Sequence, residues 1–131
     1  YCVCWIVKEI IARPRPYVLL PSIQSHDWSA VGYGYPSAHA AIAASIVCVL
    51  YPLIKKPFRP LLLIPLVVVA LSRIFLGVHT PLDVVGGAAV GAGVVGAMEY
   101  FINKKGNFFS LNNFNYLTSY YLFYFFFAFN S

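Results

Sequence analysis

Three apolar segments, residues 39–54, 60–71 and 84–98, leave this chain few ways to fold. The second runs on to residue 78 across the single cation Arg73. A hydrocarbon layer about 30 Å thick is crossed by roughly twenty apolar residues in a helix. Inside it no water satisfies a backbone that is not helical. Segments of this kind predict an all-α, multi-pass transmembrane helical bundle. Composition agrees, since 60% of the 131 residues are hydrophobic and only 10% are charged, with room for one domain.

The net charge of +5 would suit nucleic acid if the cations formed one polar face, and they do not. Lys55, Lys56, Arg59, Lys104 and Lys105 sit in short connectors, whereas Lys8, Arg13, Arg15 and Arg73 are embedded in or beside apolar sequence. Charge near or inside a membrane is expensive, so the embedded set marks function. No nucleic acid partner is expected. Cys2, Cys4 and Cys48 read as small buried hydrophobes, because no further ligands stand at metal spacing.

Along the chain, residues 1–12 read as the last turns of a helix whose beginning lies upstream. The chain opens at Tyr1 without an initiator Met, and the expectation is a bundle lacking its N-terminal helices. Pro14 and Pro16 end that helix. Lys8 and Arg15, seven residues apart, face one side if the helix persists that far. Residues 17–35 form a connector in which His26 reads as a solvated surface residue. Ser37 is a good N-cap for the next helix, and His39 falls at its start. Residues 55–60 are a tight basic connector. The third helix starts near residue 60, carries Arg73 near its far end, and turns at Gly77. The fourth starts near Pro81 and ends by residues 103–105; its Gly87-x-x-x-Gly91 spacing permits close helix packing. Residues 106–131 differ in kind: uncharged and rich in Phe, Tyr and Asn, they fit either an extra membrane helix or a read-through tail.

The stretch S-R-I-F-L-G-V-H-T-P-L-D, residues 72–83, holds the chemistry. Thr80 is a good N-cap, Pro81 is favoured at the first helical position, and Asp83 completes a capping-box pattern. His79 then stands just before a helix N-terminus, where anions are favoured, with Asp83 in reach of its imidazole. If the helices alternate in direction, Lys8, Arg15, Ser37, His39, Arg73, His79 and Asp83 converge at one membrane face. The 55–59 connector and Lys104–Lys105 fall on the other, which the positive-inside rule makes cytoplasmic.

Three cations at one point suit a phosphate dianion and its phosphoryl-transfer transition state, and arginine adds a planar fork for phosphate oxygens. The backbone N–H groups around Ala38 add donors. Two histidines allow one to attack phosphorus while the other protonates the leaving oxygen, with Asp83 holding the attacking ring in the right tautomer. Two histidines and an aspartate could in principle bind zinc, but the three cations beside them would repel it. No metal and no cofactor are called for.

These residues resemble the signature of the type 2 phosphatidic acid phosphatase superfamily of membrane lipid phosphatases. Its K-x6-R-P part matches Lys8 to Arg15-Pro16; the competing Arg13-Pro14 has the wrong spacing. P-S-G-H matches Pro36-Ser37-Ala38-His39, and S-R-x5-H-x3-D matches Ser72-Arg73, His79 and Asp83. The resemblance covers residues 1–105, which it makes a partial phosphatase core of about four membrane helices. It implies that His79 forms a phosphohistidine with Asp83 behind it and that His39 is the general acid. Lys8, Arg15, Ser37, Ala38 and Arg73 would then surround the phosphate. Ala38 departs from the family's usual glycine, keeping the N–H but adding a methyl group near the phosphate. The implied substrate is a lipid phosphate or polyprenyl pyrophosphate drawn from the surrounding membrane lipids, with the site on the extracytoplasmic or lumenal face. Two other readings compete. One is a vanadate-dependent haloperoxidase, which shares this site but is soluble. The other is an inactive truncated membrane protein.

Overall fold

The computed structural model describes residues 2–20, 22–27 and 30–104. The described residues are helical with no strand: α1 (Cys2–Ile11), α2 (Pro16–Leu19), α3 (Ala38–Leu50), α4 (Leu63–Phe75) and α5 (Pro81–Lys104). A 3₁₀ segment, Lys56–Leu62, leads into α4. The chain divides into two compact units, Tyr1–Val95 and Gly96–Ser131; the packing and the site below belong to the first. The tail at residues 106–131 lies outside the described residues.

Two helical stretches, Lys56–Phe75 and Pro81–Phe101, are long and apolar enough to cross a membrane. At 1.5 Å per residue the 24 residues of α5 span about 36 Å. The apolar segment at residues 39–54 does not reach that length. It gives the 13-residue α3, and residues 51–54 turn instead, with Pro52 breaking the helix. Between residues 56 and 62, Pro57 and Pro60 each remove a backbone donor, so the chain takes 3₁₀ turns and the α-helix begins only at Leu63.

The first helix also stops sooner than the Lys8–Arg15 spacing requires. Ala12 adopts a left-handed φ of 49°, and its N–H closes the last turn on the Lys8 carbonyl at 2.8 Å. Pro16, expected to end a helix, instead begins one: it is the first residue of α2, with extended Arg15 as its N-cap. Lys8 and Arg15 are therefore brought together by a turn and not by helical periodicity.

The helices α3 and α5 meet through glycine, as the small-residue spacing predicts. A Cβ at Gly87 would overlap the Ser37 carbonyl, and one at Gly91 would overlap that of Ala41. Ser45 bridges the same contact, its hydroxyl donating to the Ala41 carbonyl at 2.9 Å and the Gly91 carbonyl at 3.2 Å. Gly91→Val is therefore expected to destabilise the protein by roughly 2–3 kcal/mol. Gly93, where an added Cβ meets nothing within 4 Å, should accept alanine with no loss and a gain of up to about 1 kcal/mol. Denaturation of the two variants in detergent checks the contrast.

Candidate active site

Backbone hydrogen bonds tie the N-terminal ends of α3 and α5 together and anchor the connector to the end of α4. Ser37 N–H donates to the Asp83 carbonyl at 2.9 Å, and His26 N–H to the Leu76 carbonyl at 3.1 Å. The connector is seated where Gly77 turns the chain at φ 71°; a side chain there would strike the Gln24 carbonyl. Lys8 near the end of α1 reaches the same connector, with Nζ donating to the Tyr33 carbonyl at 2.6 Å.

The start of α5 forms the expected reciprocal cap. Thr80 N–H donates to Asp83 Oδ2 at 2.7 Å, and Asp83 N–H donates to Thr80 Oγ1 at 3.2 Å. This fixes the Asp83 carboxylate directly behind His79. Both are buried, at 1% and 5% exposure. His79 Nδ1 lies 3.8 Å from Asp83 Oδ2, outside hydrogen-bond distance, and has no hydrogen-bond partner. Closing that gap by about 1 Å would supply the hydrogen bond that orients a nucleophilic imidazole.

Burial depresses the proton affinity of His79 most, the charges of Arg15 and Lys8 lower it further, and Asp83 and the Gly34 backbone only partly oppose them. Its pKa falls from 6.5 to about 4. The ring is therefore neutral at neutral pH. A fall of that size in one group corresponds to roughly 3 kcal/mol. It is present above pH 6.5 and lost as the pH drops toward 4, because the unfolded chain takes the proton first. Detergent unfolding measured from pH 7 to pH 4 should show this decline, and His79→Gln should flatten it.

Arg15 is buried and donates to three carbonyls: Nε to Gly32 at 3.0 Å, one terminal nitrogen to Val78 at 3.3 Å and the other to Val31 at 2.8 Å. Ser37 is fully buried and caps α3, its hydroxyl accepting from Ala40 N–H at 3.5 Å. Ala38 begins that helix and is half-buried. His39 is exposed, and Arg73, Asp27, Arg15 and Lys8 all act electrostatically on its ring. His79 and His39 thus share Arg15 and Lys8 as charged neighbours, one ring enclosed and the other open.

Two participants lie outside the sequence expectation. Arg13, set aside for its spacing, donates to Asp83 Oδ1 at 3.2 Å. Asp27 lies 3.3 Å from the Arg73 guanidinium. Partners separated by 70 and 46 residues leave no periodic trace; the only signal is an embedded charge needing a counter-charge. Leaving the two imidazoles aside, Lys8, Arg13, Arg15 and Arg73 outweigh Asp27 and Asp83 by two positive charges, a balance that suits a phosphate dianion.

The family model described as the PAP2 superfamily matches residues 1–107. The chain belongs to the PAP2 superfamily. Curated proteins similar to this PAP2 chain include an undecaprenyl-diphosphatase of Sulfolobus acidocaldarius, 32% identical over 66% of this chain and 42% of the relative. A decaprenylphosphoryl-5-phosphoribose phosphatase of Mycobacterium tuberculosis is 35% identical over 75% of this chain and 52% of its own length. A sphingosine-1-phosphate phosphatase 2 of Mus musculus is 32% identical over 72% of this chain and 28% of its own. The chain spans about half the length, or less, of the curated relatives it matches. No solved structure matches it at a significant level.

Proposed function

We propose that this PAP2 chain carries the catalytic core, residues 1–105, of an integral membrane phosphatase. It hydrolyses a phosphomonoester or pyrophosphate of a membrane lipid through a phosphohistidine. The observation that carries this reading is the buried His79 ring. Its Nδ1 faces Asp83 Oδ2 at 3.8 Å, and the ring lies in the field of Lys8 and Arg15. With Nδ1 turned to the carboxylate, Nε2 is the nucleophile. Nε2 attacks phosphorus, the bond from phosphorus to the ester or bridging oxygen breaks, and His39 gives its proton to that oxygen. Water then attacks phosphorus, passing a proton to His39, as the bond from phosphorus to Nε2 breaks; inorganic phosphate leaves and both histidines are restored. Lys8, Arg15 and Arg73 hold the charge that develops on the equatorial oxygens, and the Ser37 and Ala38 end of α3 borders the phosphate. The reaction calls on no metal.

The membrane part of the reading is supported by the two long apolar stretches. It is supported too by the outward row Ile64, Val67, Val68, Leu71 and Phe75 on α4, all exposed. An apolar surface of that length suits hydrocarbon better than water. A multi-pass bundle with Lys55, Lys56 and Arg59 on the cytoplasmic side puts the site on the extracytoplasmic or lumenal face. The relatives' names support a lipid phosphate or a polyprenyl diphosphate as substrate.

The test is phosphate release by detergent-purified protein with EDTA present, from a panel of lipid phosphates and polyprenyl diphosphates. Release that survives EDTA is expected, and the panel then ranks the substrates. A folded protein that releases no phosphate from any of them would sink the reading.

A further inference from the structure

We propose that Arg13 is a positioning residue for His79, acting through Asp83; the inference rests on His79 being the nucleophile. Arg13 falls outside the K-x6-R-P spacing, yet its guanidinium is paired with the Asp83 carboxylate, at 3.2 Å. Asp83 Oδ1 meets Arg13, while Oδ2 accepts from Thr80 N–H at 2.7 Å and faces His79 Nδ1 at 3.8 Å. The two oxygens thus have separate duties. Arg13 takes the one turned away from the imidazole, and the helix cap sets the one turned toward it.

Arg13 is itself held from both ends. The left-handed Ala12 swings the chain out of α1, and the Arg13 carbonyl accepts from Gly34 N–H at 2.8 Å. Pro14 and Pro16 stiffen the chain on its C-terminal side. A buried carboxylate with no counter-charge is strongly unfavourable, and a cation on Oδ1 offsets that cost. It also removes the rotamer in which Asp83 would turn both oxygens from the ring. Arg13 keeps 34% of its side chain exposed, so a direct role as a phosphate ligand is the rival to be tested. The charged groups facing His79 are Lys8, Arg15 and Asp83; Arg13 reaches it only through the last.

The experiment compares Arg13→Ala, Arg13→Gln and Arg13→Lys with wild type, measuring kcat, KM and competitive inhibition by inorganic phosphate. Arg13→Ala is expected to lower kcat by about 10- to 100-fold while KM and the phosphate inhibition constant stay within roughly threefold. Arg13→Lys, which restores a cation, should recover most of the loss, and Arg13→Gln only part. A raised inhibition constant with unchanged kcat would make Arg13 a phosphate ligand, and unchanged kcat and KM would leave it a structural tether; either overturns the proposal. Should Arg13→Ala fail to fold, the Lys–Gln contrast decides alone. A readout independent of turnover is the ¹⁵N resonances of His79 in histidine-labelled protein, assigned by their loss in His79→Ala. They should move in Arg13→Gln and return in Arg13→Lys, and resonances that stay put overturn the proposal. Activity surviving in His79→Ala would instead mark failure of the underlying assignment, whatever the Arg13 variants do.

Discussion

His79→Ala is expected to abolish phosphate release, lowering kcat by at least about four orders of magnitude. The magnitude comes from the role. On the proposed mechanism there is no covalent intermediate without the imidazole, and water must attack phosphorus directly. His39→Ala provides the contrast. His39 is exposed and is expected to act on the leaving oxygen, so its loss should cost about 10²- to 10⁴-fold with an alkyl phosphate. It should cost far less with an aryl phosphate, whose leaving group needs no proton. Phosphate-release assays of both variants on both ester types check this. An equal loss on the two esters in His39→Ala would remove the general-acid assignment. Substantial turnover in His79→Ala would remove the nucleophile.

The parts of this site that could be read from sequence are those governed by local geometry. Thr80, Pro81 and Asp83 specify a helix start within four residues, and the capping hydrogen bonds form there. Gly87 and Gly91 lie one turn apart on one helix face, so close packing against α3 was legible too. The rest depends on how distant segments settle. The left-handed turn at Ala12 has no glycine to announce it, and it replaces the two helical turns that the Lys8–Arg15 spacing invited. Pro16 reads in sequence as a helix stop, yet α1 has already ended at Ile11 and Pro16 starts α2; a proline suits the first helical position as well as it stops a helix. Apolar content at residues 39–54 measured hydrophobicity correctly but not helix length, which Pro52 curtails. The pairings of Arg13 with Asp83 and of Arg73 with Asp27 require the fold itself, because any of the embedded cations could have met either acid.

Asp83→Asn is expected to lower kcat by about 10³- to 10⁴-fold while leaving KM for an anionic substrate unchanged or lower. The carboxylate accepts from the Arg13 guanidinium and from Thr80 N–H on opposite oxygens. An amide offers one acceptor and turns its NH₂ toward a donor whichever way it lies. The variant therefore loses either the cap or the Arg13 contact, and with it the orientation of His79. Electrostatics work in the opposite sense. Asp83 is one of the few influences raising the His79 pKa against burial, Arg15 and Lys8. Its removal pushes the ring below about 4 and leaves the site more positive. The nucleophile then stays neutral to still lower pH, and a phosphate dianion binds at least as well. A loss of kcat that no change of pH restores, with KM held or reduced, is consequently the mark of lost orientation. Were raising the pH to recover the rate, Asp83 would be acting on the protonation of the site. Were KM to rise in step with a fall in stability, it would be only the cap of α5.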